Sequence, residues 1–172
     1  MVSLPTAAQS GDRIAAFYAA HGELIVIQQV VGVVALAAFV LFALSLRPNR
    51  WLRPALWAFV AIELVTNVIP VIIVSGASSP EAAHAWTAAE DVADAVFSIA
   101  IALFVAAATL GEPFWLRILG YAVAALNVLR GVGEPFGFTA IDVIAPLAFI
   151  AFVLVFSVKL LVRPDPSPVG RG

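Results

Sequence analysis

Polar residues in this chain fall into short clusters between long apolar runs. A helix needs about 20 apolar residues to cross a hydrocarbon core. Residues 23–46, 55–76, 88–110, 115–132 and 138–161 meet or approach that length. The pattern predicts an all-α integral membrane bundle of five transmembrane helices within residues 23–162. The fourth run is the shortest, and it holds Asn127 and Arg130. The tetrapeptide GEPF stands on either side of it, at 111–114 and 133–136. Each copy places Gly and Pro before an apolar run, as a helix break and restart would. The residues that follow the two copies differ, so they are start signals and not an internal repeat.

Before the first run, the stretch RIAAFYAA sets Ile14, Phe17 and Tyr18 on one helical face. It predicts a short interfacial helix, running into the first span, within an extracytoplasmic N-terminal segment, residues 1–22. The segment lacks the basic start and apolar core of a secretory signal. The Pro- and Gly-rich residues 163–172 are expected to form a disordered cytoplasmic tail.

Composition agrees with the pattern. The chain is 63% hydrophobic and 12% charged, with a mean hydropathy of +1.06. A soluble domain is about half apolar and about a quarter charged. The net charge of −2 supplies no basic surface for nucleic acid. With no cysteine, disulfides, thiol catalysis and Cys-ligated metals are excluded. The two histidines, His21 and His84, have no ligand spacing between them, so neither a metal nor another cofactor is expected.

Basic residues near span ends set orientation. Arg47, Arg50, Arg53, Arg117, Lys159, Arg163 and Arg171 fall on one side of a five-span chain, against Arg13 and Arg130 on the other. This bias predicts N-out and C-in topology in a bacterial cell membrane. Trp51, Trp57 and Trp115 then mark the inner interface and Trp86 the outer one.

With that topology the polar residues inside the spans share the outer half of the bundle. Glu63, Asn67, Asp94, Asn127, Arg130 and Asp142 are the candidate binding cluster, with Glu63 the deepest. Asp94, Ser98, Ala102 and Ala106 recur every four residues on one face of the third span. Gly120, Ala124, Asn127 and Gly131 make a similar stripe on the fourth. Small residues of this kind mark close helix approach. A charge at mid-bilayer costs about 2.5–3.5 kcal/mol on insertion scales. Arg130 is therefore expected within reach of Asp94, Asp142 or Glu63, and Glu63 is expected to find a partner on span three, four or five. Glu90, Asp91 and Glu134 are expected to be solvated or capping residues, and His84 a loop residue. Of Gln28 and Gln29, one is expected to face the bundle and the other the headgroups. An Arg–Asp network of this kind also serves simply to fix helix packing, and that reading stands beside the functional one.

The segments AAFYAAHGELI, FALSLRPNRW, WTAAEDVADAVFSIAIAL and PFWLRILGYAVA, within residues 13–162, resemble a broad group of uncharacterised actinobacterial multi-pass integral membrane proteins. The resemblance implies no known activity and carries no catalytic residues with it. Three functions remain open from the residues. One is a binding or partner-docking protein whose polar pocket takes a small molecule or lipid headgroup, with a homo-oligomer or a membrane partner protein as further possibilities. Another is a proton- or cation-coupled transport subunit. The third is a small isomerase or cyclase acting on a lipid-soluble substrate, with two carboxyls as acid and base.

Overall fold

The computed structural model describes residues 4–76, 79–133 and 141–162. These residues form helices α1 (Gly11–Ser45), α2 (Leu52–Gly76), α3 (Pro80–Thr109), α4 (Phe114–Gly133) and α5 (Ile141–Leu161). All five are long and apolar enough to cross a membrane. Their outward faces are strongly apolar: Val34, Leu41, Val143 and Leu154 are all more than half exposed. Surface of that kind is stable only against lipid, and the chain is a small multi-pass membrane protein.

The connections follow local chemistry. Asn49 accepts hydrogen bonds from the backbone N–H groups of Trp51 and Leu52 and so caps the start of α2. Its amide also donates to the Ala107 carbonyl at 2.9 Å, tying this loop to the end of α3. Ser79 caps α3 by accepting from Ala82 N–H, with Pro80 in the first turn. Gly111 turns the chain from α3 into α4 at φ +83°, a conformation that a side chain would strain. At the same end Lys159 of α5 pairs with Glu112.

Two helices are longer than their apolar runs suggest. α1 begins at Gly11, is continuous through residue 22, and has 35 residues. At about 1.5 Å rise per residue it is roughly 52 Å long. α3 begins at Pro80 rather than near residue 88. The two extensions stabilise each other: Ile14, Tyr18 and Ile25 pack with Ala83 of α3 and with Ile69 and Ile73 of α2. The face expected to lie on a membrane surface is thus buried against protein. Residues 134–140 and the expected tail at 163–172 lie outside the described residues.

Helix α3 is central, packed against α1, α2 and α4, and α5 packs on α4. The buried apolar residues form two separate clusters. One is the Ile14–Tyr18–Ile69 group near the N-terminus of α1. The larger one gathers Leu36, Leu56, Phe59, Phe104, Val123, Phe152 and their neighbours toward the loop-47–50 end. In sequence, the polar residues of α1, α2 and α3 fall between these two clusters.

Candidate functional site

The polar residues between the two clusters surround a cavity of about 540 Å³, within the size range of small-molecule sites. Helix α1 contributes Gln28 and Gln29, and α2 contributes Glu63, Thr66 and Asn67. Glu90 and Asp94 come from α3 and Arg130 from α4, while Pro146 and Phe149 represent α5. The floor is aromatic. Phe39, Phe59, Phe97 and Phe149 all line it. Phe39 stacks on Phe59 with ring centroids 4.5 Å apart, and Phe59 meets Phe97 edge-on at 4.8 Å. Phe39 also bridges to Phe149 of α5 at 5.7 Å.

Helical periodicity produces this layering. Phe59 stands one turn before Glu63 on α2, and Phe97 stands one turn after Asp94 on α3. The two helices run in opposite directions, so both phenylalanines lie on the same side of the acids. Exposed Ala35 and Ile150 also line the cavity, so its lateral rim between α1 and α5 faces the bilayer. Leu4 lines the rim nearest the chain's start. The segment that carries it is pinned to α3: Ala7 N–H donates to Asp91 Oδ2 at 2.8 Å, and His84 Nε2 lies 3.0 Å from the Ala7 carbonyl. His84 is accordingly a helical residue, in the second turn of α3, and not a loop residue.

Of the candidate cluster, Glu63, Asn67, Asp94 and Arg130 line the cavity. Glu63 is half-buried, and its partner is on its own helix rather than on α3, α4 or α5: Asn67 Nδ2 donates to Glu63 Oε1 at 3.0 Å and to the Glu63 carbonyl at 2.7 Å. The i,i+4 spacing makes that contact without help from another helix. Asn67 packs against Gly32 of α1, where a Cβ would come within 2.5 Å of Asn67 Oδ1. The Asp94 carboxylate interacts electrostatically with Glu63, Glu90 and Arg130.

Arg130 Nε lies 3.6 Å from Asp142 Oδ1, and its Nη1 donates to Ser98 Oγ at 3.3 Å. Asp142, in the first turn of α5, holds Arg130 from outside the cavity lining. Asn127 stands apart from the site. It is fully buried on the face of α4 that meets α3, and its amide donates to the Val123 carbonyl at 2.9 Å. The small-residue stripe brought it to that interface, where Gly120 lies against Thr109 and Gly131 against Ala95 and Ser98.

Glu90 and the Gln28–Gln29 pair also correct the sequence reading. Glu90 is buried, lines the cavity, and accepts a hydrogen bond from Tyr18 Oη at 3.1 Å. It had a visible signal, since it lies four residues before Asp94 on the stripe that continues to Ser98. Gln28 and Gln29 both line the cavity, because the groove is wide enough to take side chains 100° apart on α1. Among the described residues no group of His, Asp and Glu has metal-binding geometry. No protein-family model matches the chain, and no curated protein or solved structure matches it.

Proposed function

We propose that this chain is a ligand-binding protein of a bacterial inner membrane, oriented N-out, and that its cavity takes a small organic cation with an apolar body. One observation carries the reading: Glu63, Glu90 and Asp94 share a cavity with one guanidinium, over a floor of phenylalanines. Acids exceed basic groups in the described lining, and Arg130 already faces Asp142. A cationic ligand would balance the excess. Each ring face that meets the cation adds about 0.5–2 kcal/mol. The rim between α1 and α5 offers entry from the bilayer, which suits an amphiphile more than a hydrated inorganic ion.

Transport fits less well. A path toward the loop-47–50 end would have to pass Phe39, Phe59, Phe97 and Phe149, and the cavity lining beyond the acids is apolar. The isomerase or cyclase reading would use the same carboxyls, but no feature of the geometry calls for bond chemistry.

The test is calorimetric titration of the detergent-purified protein with benzyltrimethylammonium and with its uncharged carbon isostere, neopentylbenzene. The cation should bind and the isostere should bind at least tenfold more weakly. The quaternary ammonium has no N–H to donate and meets the carboxylates through charge alone, so Glu63→Gln, which removes one of those charges, should weaken the cation roughly tenfold. Phe59→Leu should weaken it while leaving the acids in place. Equal binding of both probes, no binding of either, or full affinity in Glu63→Gln and Asp94→Asn would each reject the proposal.

A further inference from the structure

A second recess lies at the opposite end of the molecule, on the lipid-facing surface. It is a groove of about 510 Å³ between the first turns of α2, the end of α3 and the start of α4. Trp51 and Pro54 form one wall and Tyr121 the other, with Ala58, Ala106 and Leu110 between them. The alanines make the trough: where neighbouring lipid-facing positions carry Val, Leu or Trp, these carry one methyl each. Ala106 ends the stripe that begins at Asp94 and Ser98. It is half-buried and turned to this groove, so the close-packing role of the stripe does not account for it.

The rim of the groove is basic. The Arg50 guanidinium lies over the Trp51 ring, 5.0 Å from its centroid. Arg117 stands one helical turn from Tyr121 on the same face of α4 and is exposed. Arg53 adjoins Pro54 and is exposed as well. An apolar trough ending under arginines from two helices matches an acyl chain ending in an anionic headgroup. Arginine pairs with phosphate through two parallel hydrogen bonds; a zwitterionic lipid offers the same phosphate, but its choline cation is repelled by the neighbouring arginines, so a net anionic headgroup is favoured. A second copy of the chain is a poorer occupant, because a two-fold contact over this groove would bring the same arginines of both copies together.

We infer that this groove is a binding site for one anionic phospholipid, its acyl chain lying over Ala58 and Ala106 and its phosphate held by Arg50 and Arg117. The occupant spans from α2 to α4 across the end of α3, at the basic end of the bundle.

Quenching of Trp51 by brominated lipid tests the assignment. Trp57, Trp86 and Trp115 are all exposed, so replacing them with phenylalanine leaves Trp51 as the single reporter in the full chain. The protein is reconstituted in phosphatidylcholine vesicles holding a minor fraction of phosphatidylglycerol, with bromine on one lipid or the other. Brominated phosphatidylglycerol should quench about fivefold more, per lipid present, than brominated phosphatidylcholine. The Arg50→Gln, Arg117→Gln double variant should make the two lipids equal, and Ala106→Leu should do so by filling the trough. Equal quenching before any charge is removed would show an ordinary lipid-facing surface and overturn the assignment. So would a preference that survives the double variant, or protection of Trp51 from both lipids with cross-linking between copies.

Discussion

Gly131→Ala tests how tightly α3 and α4 are joined beside the cavity. A Cβ on residue 131 would sit 2.6 Å from the Ala95 carbonyl oxygen and 3.2 Å from Ser98 Cβ. Ordinary contact begins near 3.4 Å, so the first distance is short by about 0.8 Å. The carbonyl is backbone and cannot turn aside, so one helix must move. Overpacking of this sort costs about 1–3 kcal/mol. Alanine's helix propensity returns up to about 1 kcal/mol, which leaves a net loss of roughly 1–2 kcal/mol. The same shift would carry Arg130 away from Ser98, to which it donates at 3.3 Å. Gly76→Ala is the control, since nothing lies within 4 Å of its added Cβ. Unfolding in mixed detergent micelles, followed by circular dichroism, should place Gly131→Ala below the parent chain and Gly76→Ala within a few tenths of a kcal/mol of it. If Gly131→Ala proves as stable as Gly76→Ala, the α3–α4 contact is looser than described and the argument fails.

Tyr18→Phe removes the hydrogen bond from Tyr18 to buried Glu90 and should destabilise by about 1–3 kcal/mol in the same assay; an unchanged midpoint would mean that Glu90 finds solvent instead. The chain has no cysteine, so single-cysteine variants report topology cleanly: an impermeant maleimide on intact cells should label Gln9→Cys and spare Arg53→Cys. The reverse labelling would overturn the N-out orientation.

Span number and helix class were legible from the apolar runs alone, because lipid imposes both a length and an apolar surface on each crossing segment. The sequence also marked Glu63, Asn67, Asp94 and Arg130, since an ionisable or amide group inside such a run is costly wherever it points. Several things were decided only by the packed bundle. The α1 segment 11–22 reads as an interfacial helix running into the first span, yet its apolar face is buried against protein because α3 starts early enough to cover Ile14 and Tyr18. Glu90 reads as a surface acid near the start of a span, yet that same extension buries it. Asn127 reads as one more member of the polar cluster, yet a rotation of one helical face places it between α3 and α4. A linear pattern records which residues share a helix face, but not how far each helix extends past its neighbours or which neighbour that face meets. Those two quantities follow from the fit of small residues between helices, and they determined which acids came to share one cavity.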